Sequence, residues 1–152
     1  MMVAGRFAYQ DPAKRAMLLT ALYVAQEQNG YLTAEAIERV ADRLGMDPGL
    51  VYSTATFYSM YRYKTVGRYV IQVCEGLSCH LAGGAEDLLD FLCTKLGIKN
   101  GETTGDGLFT LQTVQCLAAC GSSPAMRIND TLHTHLTHQD VNEILGQLAR
   151  GE

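Results

Sequence analysis

Two cysteine pairs constrain this chain more than any other feature. One is Cys74-Glu75-Gly76-Leu77-Ser78-Cys79 and the other Cys116-Leu117-Ala118-Ala119-Cys120, a C-x4-C and a C-x3-C with 36 residues between them. Each follows a run of alternating character, Tyr69 to Val73 and Leu108 to Gln115, that reads as a β-strand. The thiols therefore sit where strands end, on loops that a sheet can hold against one another. Four soft thiolates gathered in this way suit a soft metal or an iron–sulfur cluster.

The spacing narrows the chemistry. Structural zinc favours C-x2-C knuckles, and thiol–disulfide enzymes favour C-x-x-C. Neither occurs here, nor does plant-type or bacterial ferredoxin spacing. The pattern favours a [2Fe–2S] centre over zinc, with a zinc-stabilised interaction module as the alternative. Two thiolates are needed at each iron, and the simplest arrangement sets Cys74 and Cys79 on one and Cys116 and Cys120 on the other. Such an anionic centre requires N–H donors aimed at its sulfurs. Gly76 and Gly121 are expected to admit the main chain closely, Ser78 to offer a hydroxyl, and a helix opening near Cys79 to add the positive end of its dipole.

The fifth cysteine, Cys93, falls on a helical stripe and reads as a small buried hydrophobe. An odd cysteine count, with no h-region or Arg/Ser-rich pattern in Met1–Gln10, argues against a disulfide framework and against a targeting segment. No apolar run reaches membrane-spanning length. The expected location is cytoplasmic, with a peripheral place at the inner membrane open to a member of a larger complex, and direct membrane insertion is not expected. Lys plus Arg is 12 against 16 Asp plus Glu, and the basic residues are scattered, so no nucleic acid partner is expected.

Residues 11–61 read as three helices. Asp11-Pro12 and Asp47-Pro48 are cap-plus-proline starts and Thr33 is a third cap, while Asn29-Gly30 and Gly45 are stops. Met17, Leu18, Ala21, Leu22 and Ala25 form the apolar stripe of the first helix. The aromatic residues at 52, 57, 58, 61 and 63 read as a packed face, with a docking surface as the second reading. From Arg68 the order is β-α-β-β-β-α. It has one long helix after Cys79 (Leu88, Leu89, Leu92, Leu96), a turn-rich loop over 99–107, a hairpin about Asn129-Asp130 and a last helix capped by Thr137. The fold class is α+β. A helical module spans residues 1–65 and a second domain residues 66–152. His133, His135 and His138, with no carboxylate beside them in sequence, read as a polar strand face and a first helical turn. His80, next to a candidate ligand, reads equally as a cluster neighbour or a surface residue.

With these motifs assembled, the chain resembles the small [2Fe–2S] subunit of NADH:quinone oxidoreductase (respiratory complex I) and its homologues in NAD-linked hydrogenases and formate dehydrogenases. The resemblance rests on Ala25-Gln26, Gly30-Tyr31-Leu32, Val51-Tyr52 and Ala55-Thr56-Phe57-Tyr58-Ser59-Met60-Tyr61 in the first half. In the second it rests on Cys74, Cys79-His80-Leu81, Leu96-Gly97-Ile98, Thr103-Thr104, Asp106-Gly107, Phe109-Thr110-Leu111, Cys116-Leu117, Ala119-Cys120-Gly121, Pro124 and Ile128-Asn129. It implies an N-terminal helical bundle and a thioredoxin-like [2Fe–2S] ferredoxin domain. It implies that Cys74, Cys79, Cys116 and Cys120 ligate the cluster. It further implies a partner subunit that binds FMN and NADH, near whose flavin the cluster carries single electrons without catalysing a reaction alone. Three positions depart from the family pattern: Ala118 and Gly105, where the family often has Gly and Pro, and His133, where it often has an aromatic residue. A stand-alone soluble ferredoxin and a thiol–disulfide enzyme are the remaining readings.

Overall fold

The computed structural model describes residues 11–83 and 85–151; Met1–Gln10, read above for targeting signals, lie outside them. The chain divides at Thr65 and Val66 into two compact units, each with its own buried core.

The first unit is helical: α1 (Pro12–Ala16), α2 (Leu18–Asn29), α3 (Ala34–Leu44) and α4 (Pro48–Phe57). The three side-chain caps form as the sequence predicts. Asp11 accepts from the Ala13 and Lys14 amides, Thr33 from Ala36 and Asp47 from Leu50. Gly30 and Gly45 close their helices at φ 77° and 64°.

Two expectations need correction here. The single first helix is two, because Met17 carries the chain out of α1 and caps α2. Every residue of α1 is exposed, and Met17 with them. The buried face of α2 is Leu18, Leu22 and Gln26, with Ala21 and Ala25 half-buried at its side. The second correction concerns the aromatic residues. Only Tyr61 is buried, at 5% exposure, while Phe57 is 80% exposed and Tyr52, Tyr58 and Tyr63 are open as well. Val51 and Ala55 take the inward face of α4, which turns Tyr52 and Phe57 away. The helix then ends, so helical spacing does not extend to Tyr58, Tyr61 and Tyr63.

Gln26 explains how that departing segment is held. Its side-chain amide donates to the Met60 carbonyl (3.2 Å) and accepts from the Arg62 amide (2.6 Å). Tyr61 donates its hydroxyl to the Leu19 carbonyl (2.7 Å). A buried amide with both ends satisfied fixes the exit of the unit to α2.

The second unit runs β1 (Tyr69–Cys74), α5 (Leu77–Leu81), α6 (Glu86–Leu96), β2 (Phe109–Val114), a 3-10 turn (Cys120–Ser122), β3 (Ala125–Ile128), β4 (Thr131–Thr134) and α7 (His138–Arg150). The sheet order is β2-β1-β3-β4. β1 lies parallel to β2 and antiparallel to β3, and β3 and β4 form the edge hairpin. Asn129 turns that hairpin at φ 51°, and its side chain accepts from the Val70 amide and donates to the Arg68 carbonyl. Ile71, Val73, Phe109, Leu111, Met126 and Ile128 share one face of the sheet and pack on Leu88 and Leu92 of α6 and Val141 and Leu145 of α7.

Two readings change in this unit, the long helix and Cys93, and one is made more definite. The long helix after Cys79 is broken into α5 and α6, with Gly83 at φ 75° between them. The 99–107 segment is turn-rich, as expected, and it is tied to the neighbouring strand. Gly101 donates to the Leu111 carbonyl, Leu111 to the Glu102 carbonyl and Thr104 to the Phe109 carbonyl, so it folds back along β2. Cys93 is half-buried against the core rather than within it. Among the described residues no helix is long and apolar enough to cross a membrane.

Candidate metal centre

β1 delivers Cys74 at its last residue. The next amide, Glu75, still pairs with the Val114 carbonyl at 2.8 Å, so the sheet fixes this position. The chain turns at Gly76 and enters α5, which carries Cys79 at its third residue. β2 ends at Val114 and leads to Cys116, and the 3-10 turn opens on Cys120. Because β1 and β2 are parallel neighbours in register from Tyr69↔Phe109 to Cys74↔Val114, both loops leave the same end of the sheet.

The two loops interlock. Cys74 and Cys79 are buried, at 3% and 2% exposure, and pack with Ala125, Leu117 and Ala119. The Cys79 sulfur is 3.5 Å from the Ser123 hydroxyl, again across the loops. Cys116 accepts from the Ala118 amide at 3.3 Å, with Ala118 held at φ 57°. Cys116 and Cys120 are exposed, and all four thiols are free. Burial pushes the Cys74 thiol above its ordinary value, an effect the Gly76 and Leu117 N–H groups oppose.

Among the described residues, no three Cys, His, Asp or Glu side chains converge where one ion would be held. Cys74 and Cys79 are buried together, while Cys116 and Cys120 stand exposed on the loop packed beside them. A backbone donor, the Ala118 N–H, already points at the Cys116 sulfur. A Cβ on Gly76 would stand 3.4 Å from the Cys74 sulfur. That distance is ordinary contact, so the fit rests on the thiols: four of them on two loops that pack together, with an amide donor at Cys116, suit an anionic [2Fe–2S] cluster.

A model of the thioredoxin-like [2Fe-2S] ferredoxin family matches residues 5–149. The chain belongs to the thioredoxin-like [2Fe-2S] ferredoxin family. The family's cofactor is a [2Fe–2S] cluster. Among its relatives, an NADH-quinone oxidoreductase subunit of Rhizobium meliloti (strain 1021) is 40% identical over 145 residues, 95% of this chain and 86% of that protein. The corresponding NADH-quinone oxidoreductase subunit of Escherichia coli (strain K12) is 41% identical over 137 residues, 90% of this chain and 81% of that one. The fold is like that of a chain in NAD+-reducing [NiFe]-hydrogenase in the air-oxidized state. The TM-score there is 0.72 at 23% identity, covering 89% of this chain and 23% of that much longer one.

Within this ferredoxin fold some expected contributors move. The hydroxyl near a cysteine sulfur belongs to Ser123, and among the described residues no hydrogen bond joins Ser78 to a cysteine. The helix that carries Cys79 has five residues, too short to build a substantial dipole. A Cβ on Gly121 would meet nothing within 4 Å, so no close approach demands glycine there. His80 is exposed on α5. The histidine group does have a carboxylate: His138 pairs with Asp87 at 2.9 Å and stacks on Phe91 at 4.2 Å, a contact made across two helices and invisible in sequence. His135, at φ 52°, lies beyond β4 and breaks the strand alternation with His133.

Proposed function

We propose that this chain is the small electron-transfer subunit of an NADH-oxidising complex of the NADH:quinone oxidoreductase kind. Cys74, Cys79, Cys116 and Cys120 hold its [2Fe–2S] cluster, Cys74 and Cys79 on one iron and Cys116 and Cys120 on the other. The observation that carries this reading is the contact across the two loops, where the Cys79 sulfur lies 3.5 Å from the Ser123 hydroxyl and Leu117 and Ala119 pack against Cys74 and Cys79. It joins the two cysteine pairs before any metal is considered. The C-x4-C and C-x3-C spacings, neither of them a zinc knuckle, favour an iron–sulfur cluster over one zinc.

The cluster supplies one-electron storage, which a flavin reduced by the two electrons of NADH can use. The protein's own contribution is to hold the four thiolates, shield Cys74 and Cys79 from water and aim amide dipoles at the sulfurs. The partner is a flavoprotein that binds FMN and NADH, and the site lies close enough to its flavin for electron exchange. Leu77 and Leu81, one turn apart on α5 and 74% and 77% exposed, flank Cys79 with apolar surface suited to a protein neighbour. The complex itself is peripheral or anchored to the membrane through other subunits. A second reading, the same role in an NAD-linked hydrogenase, is favoured by the fold likeness to the hydrogenase chain.

Anaerobic purification with iron and sulfide analysis, then electron paramagnetic resonance before and after dithionite, tests the reading. Two irons and two sulfides per chain, silent when oxidised and spin-half when reduced, are expected. Cys116→Ala is expected to lose the cluster and Cys93→Ser to keep it unchanged. A colourless zinc protein, or full cluster content in Cys116→Ala, would overturn it.

A further inference from the structure

Ser123 stands between the two cysteine pairs. Its hydroxyl oxygen is 3.5 Å from the Cys79 sulfur and 3.2 Å from the main-chain carbonyl of Cys120. It is half-buried, and Cys79 beside it is closed to solvent. We infer that Ser123 is a positioning residue that tunes the reduction potential, its one hydroxyl proton shared between the Cys79 sulfur and the Cys120 carbonyl. The inference rests on the ligand assignment made above.

A serine hydroxyl has a single proton to donate. While Cys79 is a thiol, it can itself donate to the Ser123 oxygen, leaving the serine proton to the Cys120 carbonyl. A thiolate ligand has no proton. It can only accept, so the serine proton then has two competing acceptors. Adding one electron makes the sulfurs more negative and strengthens the bond to Cys79 over the bond to the neutral carbonyl, because a charged acceptor binds the proton more strongly. The proton stays on the serine oxygen throughout, so nothing is transferred but the electron. The reduced form gains more from the bond than the oxidised form, and the potential rises. Burial of Cys79 leaves little water to take over the role.

The experiment is an anaerobic potentiometric titration of the isolated protein, wild type against Ser123→Ala and Ser123→Thr, with dithionite as reductant and iron and sulfide measured on each sample. Iron analysis of the wild type tests the cluster assignment by itself, so the two readings fail separately. In Ser123→Ala, with two irons retained, the potential is expected to fall. At the wild-type midpoint, its reduced-to-oxidised ratio should drop roughly threefold to tenfold. Ser123→Thr, which keeps the hydroxyl, should return the ratio toward wild type. An unchanged potential in a fully loaded Ser123→Ala overturns the inference. Where Ser123→Ala does not hold the cluster, Ser123→Thr decides. A loaded protein of near-native potential sustains the role of the hydroxyl; a lost cluster or a lowered potential overturns it.

Discussion

Ala118 holds φ 57° so that its amide can face the Cys116 sulfur, a conformation that costs a residue with a Cβ about 1–2 kcal/mol. Ala118→Gly is expected to raise stability by about 0.5–1 kcal/mol in urea melts, the relieved strain exceeding the added freedom of the unfolded chain. His133 stands opposite Met126 in the hairpin, and burial lowers its pKa below the usual value. The unfolded chain therefore takes up the proton first as pH falls. The contribution of the neutral ring is complete above the unfolded pKa of about 6.5 and declines below it, until the folded form protonates as well. His133→Phe should flatten the part of a Tm-against-pH curve that lies below about pH 6.5. An unchanged slope would place its origin elsewhere. At this scale, sequence discloses what is written in side chains. The four cysteines stand out because few chemistries use four thiols in such spacing. The Leu117 and Ala118 amides leave no mark, since every non-proline residue carries the same group. The choice of Ser123 over Ser78 depended on which serine the folded loops bring to a sulfur.

Capping made the helices legible and packing decided their extent. Thr137 and Asp140 form a reciprocal capping box at the start of α7, with the Thr137 hydroxyl and amide both donating to the Asp140 carboxylate. The Thr137 side-chain bond, followed by its main-chain bond, holds the Asp140 carboxyl below the ordinary range. That contribution is present at neutral pH and is lost as pH falls through the folded carboxyl pKa. Thr137→Ala should cost about 1 kcal/mol by urea denaturation, and the penalty should shrink in acid. Cap signals of this kind are local, which is why Asp11, Thr33, Asp47 and Thr137 were all readable. The break at Met17 was not, because apolar periodicity runs on from Met17 through Leu18, Ala21 and Leu22. The break at Gly83 does carry a sequence signal, the Gly83-Gly84 pair, which a single long helix overlooks. The aromatic residues around Phe57 illustrate the same limit from the opposite side. A helical stripe was read through residues that lie past the end of the helix.

Across the whole molecule, the buried side chains form one core around Leu22 and Val51 and another around Ile71 and Leu92. All four candidate ligands belong to the second unit. Leu22→Ala and Leu92→Ala should each cost about 2–5 kcal/mol, but with different spectroscopic consequences. The first should reduce helicity and leave the visible spectrum of the loaded protein near native. The second should bleach it at lower temperature. Equal effects on the spectrum would mean that the two cores do not melt separately. The exposure of the cysteines has a chemical consequence as well. Cys74 and Cys79 are enclosed while Cys116 and Cys120 face outward, so the metal-free protein presents a thiol reagent with two open targets and two guarded ones. Brief alkylation followed by peptide mass spectrometry should find label on Cys116 and Cys120 before the other pair. Damage by oxidants has the same order, beginning at the outer rim and reaching the sheet end only after the rim has opened.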